Sequence, residues 1–132
     1  VKGALLVAGS LALLAAAVHG VAGEVLVVRK LSPDMLPSSP FGSAGMTKLM
    51  IRATWHMTTI AFLTVGSALV LSGSVLHGDT ARGMALVAAG ASTGFAAVAV
   101  VGSLARPPRS LFRHPAPIGL TAVAVLAWTG IA

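Results

Sequence analysis

Four residues stand out as able to hold a metal or move a proton: His19, Glu24, His56 and His114. No cysteine is present, which removes disulfides, iron–sulfur clusters, thiolate zinc sites and cysteine nucleophiles together. Only three residues are acidic. Neither a Gly-x-Ser-x-Gly elbow nor a glycine-rich phosphate loop occurs, so hydrolysis and phosphoryl transfer lack their usual parts, and no residue is assigned a catalytic role. Imidazole and carboxylate chemistry remains. A haem iron or chlorophyll magnesium takes an imidazole from a helix with small residues beside it. Zinc, iron or copper takes several imidazoles and carboxylates. A polar pair can also do no more than fix two helices against each other.

The elements that must position these groups are hydrophobic spans. Hydrophobic residues make up 56% of the 132 and charged residues 9%, with a mean hydropathy of +0.93. A soluble domain carries about a quarter charged residues, so a free-standing water-soluble globule is excluded. A bilayer core needs about 20 apolar residues per helix. Four stretches qualify, at about 4–28, 53–76, 83–104 and 115–132, the last being short. None alternates with a period of two, which argues against strands. The first stretch is too long for the apolar region of a signal peptide. The expectation is an all-α polytopic membrane protein, a single four-transmembrane-helix bundle over residues 1–132. Its first loop would hold a short amphipathic interfacial segment. Pro33, Pro37 and Pro40 break that loop, Ser43 can cap a helical extension, and Met46, Leu49 and Met50 recur at helical spacing. Lys48 and Arg52 would then face the phosphates.

Charge sets the expected orientation. The first connection holds Arg29, Lys30, Lys48 and Arg52, and the third holds Arg106, Arg109 and Arg113. Together they carry seven of the nine Lys and Arg. The positive-inside rule places both in the cytoplasm and both termini outside. The net charge of +6 thus reports topology. Nothing interleaves aromatic residues with the basic ones as nucleic-acid binding needs. Trp55 and Trp128 fall where an aromatic belt is expected.

That topology brings His19, Glu24, His56 and His114 toward one side and leaves His77 on the other. At 1.5 Å per residue, His19 lies about 5 Å from the midplane and His56 about 13 Å, a mismatch of roughly 8 Å. Ionisable groups in a bilayer are expensive and are functional candidates by default. Three readings follow, in descending weight. In the structural one, His19 hydrogen-bonds to Thr58, Thr59 or a carbonyl, and Glu24 pairs with Arg52 or Arg29. In the second, a haem or bacteriochlorophyll-type cofactor binds His19, with His56 as a further ligand. In the third, His19, Glu24, His56 and His114 hold a metal or relay protons. Against that last reading, His19 and Glu24 lie five apart, about 140° around an α-helix.

Lipid gives helices no hydrophobic reason to associate, so small residues must let them pack. Ala8, Ala12, Ala16, His19 and Gly23 form such a row on the first span. Gly66, Ser67, Gly73 and Ser74 lie on the second, and Gly90, Gly94, Val98 and Gly102 on the third. Each row is expected at a helix–helix contact.

Two stretches carry a resemblance. His19-Gly20-Val21-Ala22-Gly23-Glu24 closes the first span, and Trp55-His56-Met57-Thr58-Thr59 opens the second after Pro40-Phe41-Gly42-Ser43. Over the first half of the chain they resemble a group of small bacterial four-helix membrane proteins. That group pairs a His-x-x-x-Gly-Glu ending with a Trp-His-x-Thr start. The resemblance implies architecture and points to His19, Glu24 and His56; it supplies no reaction. The expected role is an accessory or scaffold subunit of a larger membrane complex, an energy-converting one among the options. Its partners would be the lipid bilayer and other membrane subunits.

Overall fold

The computed structural model describes residues 2–38, 40, 42–104 and 114–132. The basic third connection, with Arg106, Arg109 and Arg113, lies outside the described residues, as does Phe41. The described residues form helices and turns, with no β-strand. Helix α1 covers Lys2–Ala17, and a π-helical turn follows at Val18–Ala22. Helix α2 is Gly23–Leu26, and 3-10 turns sit at Val28–Lys30 and Pro33–Met35. Helices α3, α4 and α5 span Ala44–Ser74, Gly78–Leu104 and Ala116–Thr129.

Three stretches, Lys2–Lys30, Ala44–Ser74 and Gly78–Leu104, are long and apolar enough to cross a membrane. Helix α5 has 14 residues, about 21 Å of helix, and falls short of a hydrocarbon core of about 30 Å.

The boundaries follow local chemistry. The Ser43 hydroxyl accepts from the Met46 amide at 3.4 Å, a side-chain cap that starts α3 where serine is favoured. The helix then runs on without a break to Ser74. The separate interfacial segment expected around Met46–Met50 is therefore the first turns of α3. No proline or glycine after Gly45 stops the helix before the apolar run begins. The expected second connection is shorter than the charge pattern suggested, because α4 already begins at Gly78. Gly78 has φ +59, a left-handed conformation that glycine adopts without steric cost. Asp79 then sits in the first turn of α4, where the helix dipole favours a carboxylate.

The chain divides into two compact units, Val1–Leu13 with Leu63–Ala132, and Leu14–Phe62. In the first unit, Leu5, Ala8 and Ala12 of α1, Leu69 of α3, Ala85, Ala88 and Ala89 of α4, and Val123 and Ala127 of α5 form one core. Alanine dominates it, so backbones must approach closely. At Gly9 an added Cβ would lie 2.8 Å from both the Gly66 carbonyl oxygen and the Val70 nitrogen. At Gly66 it would lie 3.0 Å from the Leu13 nitrogen. The buried hydroxyls of Ser72 and Ser92 donate to carbonyls one turn back, Ala68 and Ala88, each at 2.8 Å, so the core needs no outside polar partner. Trp128 is 45% exposed, and its indole N–H donates to the Thr93 hydroxyl at 3.0 Å.

The expected small-residue rows divide. Ala8, Ala12 and Ala16 of α1 are buried, and Gly66 and Gly73 of α3 meet α1. The α4 row does not pack within the unit. Gly90, Gly94 and Gly102 are exposed, and a Cβ added at any of them would meet no atom within 4 Å. The buried face of α4 is instead Ala85, Ala88, Ala89, Ser92 and Ala96.

Candidate functional site

The Leu14–Phe62 unit holds the polar constellation. Its organising feature is the π-turn. The Gly23 amide donates to the Val18 carbonyl, five residues back, where an α-helix would bond four back. The extra residue per turn changes which side chains share a face. In an α-helix, His19 and Glu24 would point about 140° apart. Here both face α3, His19 meeting Trp55 and Glu24 meeting Arg52 and His56. Single π-turns inside helices occur often at functional sites.

Two glycines make the close approach possible. A Cβ at Gly20 would sit 2.7 Å from the Thr59 methyl, and one at Gly23 would overlap the Trp55 indole. In the slot they leave, the His19 imidazole stacks on Trp55 with ring centroids 4.3 Å apart and planes 8° from parallel. Phe62 presents its edge at 5.4 Å. The Trp55 indole N–H donates to the His19 carbonyl oxygen at 2.9 Å, so one side chain both covers the imidazole and holds the π-turn's backbone. His19 is therefore level with Trp55, the residue next to His56, and the expected 8 Å mismatch does not arise.

Glu24 is buried at 6% exposure. Its Oε1 faces Arg52 Nη2 at 2.9 Å and Arg29 Nε at 3.5 Å. Its Oε2 faces His56 Nε2 at 3.3 Å. These are ion contacts whose angles fall outside hydrogen-bond geometry. The expected pairing of Glu24 with Arg52 or Arg29 thus occurs with both at once. Of the expected His19 partners, Thr58 and Thr59 do not serve, while a carbonyl does: the imidazole hydrogen-bonds to the Trp55 backbone. Thr58 donates to the Thr54 carbonyl at 3.0 Å and Thr59 to the Trp55 carbonyl at 3.2 Å, the back-bonding that threonine favours inside a helix. That leaves His19 Nε2 buried without a partner.

Beside His19 an open groove of about 630 Å³ runs along α3, lined by Thr47, Met50, Thr54, Trp55 and Thr58 among others. Its size falls within the range of small-molecule sites. Metal ligation uses a ring nitrogen in the imidazole plane, so stacking on Trp55 does not obstruct it. His56 has its Nε2 on Glu24. His114 belongs to the other unit, where its Nδ1 accepts from the Ala116 amide at 3.3 Å. Among the described residues no three of His, Asp and Glu gather as a metal site requires.

Trp55, read from the sequence as a belt residue, is the main partner of His19. The signal that could have found it is the Gly20 and Gly23 spacing, which opens one side of the first span to a large ring. No protein-family model, curated protein or solved structure matches the chain.

Proposed function

We propose that this chain is a multi-pass protein of a bacterial cytoplasmic membrane and serves as an accessory or scaffold subunit of a larger membrane complex. The resemblance to small four-helix membrane proteins belongs to the same proposal. The observation that carries it is the outward row on α4. Gly90, Gly94 and Gly102 have open space around them, and Val87 and Val98 on the same helix are each 76% exposed. In lipid, exposed valine needs no explanation. Glycine in a helix does, because it costs about 1 kcal/mol per residue relative to alanine. A row of glycines offsets that cost when another helix packs against it.

Native electrophoresis after mild solubilisation tests the reading. Wild type is expected to migrate well above a monomer. Gly94→Leu, whose Cβ would meet no atom within 4 Å, is expected to keep its fold and drop to monomer size. Wild type running solely as a free monomer removes the proposal.

The buried, unpartnered His19 Nε2 beside the groove favours a second reading, a tetrapyrrole held through His19. Haem or bacteriochlorophyll absorption bands in the purified protein, lost in His19→Leu, are its signature. A visible spectrum without such bands removes it.

A further inference from the structure

Glu24 does more than neutralise a neighbour. Arg29 Nε and Arg52 Nη2 sit on the same oxygen, Oε1, at 3.5 and 2.9 Å, so those two nitrogens are no further apart than the sum of the two distances. His56 lies on the other oxygen. One buried carboxylate therefore gathers two guanidiniums and an imidazole, and the cluster keeps a net charge of at least +1.

The cations are also turned outward. The Glu24 side chain is 8% exposed, while those of Arg29, Arg52 and His56 are 66%, 52% and 44% exposed. Each guanidinium has five N–H donors, more than one carboxylate can take up, and the contacts to Glu24 run through Arg29 Nε and Arg52 Nη2. The backbone beneath Arg29 is fixed, because Val28 in the same 3-10 turn is fully buried. Paired, more than half-exposed guanidiniums held at this spacing match the oxygens of a phosphate group.

We infer that Arg29 and Arg52, organised by Glu24 and flanked by His56, form a clamp for a phosphate group, either a phospholipid headgroup or a soluble phosphate ester. The clamp is independent of the assembly reading, since it uses neither α4 nor a protein partner.

The test uses the purified full chain in a neutral detergent, with native mass spectrometry as readout. Phosphatidylglycerol, phosphatidylcholine and glycerol 3-phosphate are titrated separately. One saturable phosphatidylglycerol per chain is expected. Arg29→Gln should weaken it about ten- to a hundredfold, the worth of a charge-assisted hydrogen bond. Lys48→Gln removes an equal charge from the same connection without touching Glu24, and should leave binding within about twofold. Thermal unfolding of Arg29→Gln, whose side chain is mostly exposed, checks that the fold is intact. Saturable binding of glycerol 3-phosphate identifies the soluble source, and binding confined to lipid identifies the headgroup. Equal losses in Arg29→Gln and Lys48→Gln, or no saturable phosphate ligand at all, overturn the inference.

Discussion

Valine in place of Gly9 is expected to lower the unfolding midpoint in detergent by roughly 5–15 °C. A single added carbon at this position would lie 2.8 Å from two backbone atoms of α3, the Gly66 oxygen and the Val70 nitrogen. Backbone cannot rotate away as a flexible side chain can, so α1 and α3 must separate. Overpacking of this kind costs about 1–3 kcal/mol and occasionally more. Separation here also opens the core around Ala8, Ala12 and Leu69, which are almost fully buried, and each kilocalorie moves the midpoint of a domain this size by several degrees. The comparison that gives the result meaning is Gly94→Val. Its Cβ meets nothing, so the isolated chain should change by no more than about 0.5 kcal/mol. Thermal unfolding of both variants, followed by near-ultraviolet circular dichroism, checks the pair.

Arg52→Ala is expected to destabilise the Leu14–Phe62 unit by about 2 kcal/mol. The cost comes from what is left behind. Glu24 stays buried and loses its nearest cation, and removing one partner of a fully buried pair costs about 3–5 kcal/mol. Solvent screening reduces that here, because Arg52 is 52% exposed and Arg29 and His56 remain within 3.5 Å. Glu24→Gln should cost less, since Arg52 and Arg29 are more than half exposed and can recover water. The double variant should be more stable than the sum of the single losses predicts, by on the order of 1–3 kcal/mol. Strict additivity in that cycle would mean that Glu24 and Arg52 do not act on each other.

The helical architecture was legible in the sequence because its signal is physical and local. Runs of twenty apolar residues have few alternatives to a helix. The Ser43 cap was legible for the same reason. The pairing of Glu24 was legible, since a carboxylate in an apolar span near Arg29 and Arg52 demands a cation. Its geometry was not. Nothing in Val18-His19-Gly20-Val21-Ala22 marks a π-turn, and without it the ideal helical angle sends His19 and Glu24 to different faces. The α4 row shows a different limit. Gly90 and Gly94 were recognisable as packing residues, but small side chains do not say whether the neighbour is in the same chain. Alanines at 85, 88 and 89 compete for the same role, and within this unit they win.

The most direct measurement is site-specific photo-crosslinking in intact membranes from positions 94, 98 and 88 of α4. One discrete, reproducible adduct of higher mass is expected from Gly94 and Val98, and none from Ala88, which is 3% exposed. Crosslinking to lipid alone from Gly94 and Val98, with no protein adduct, would contradict the proposed assembly.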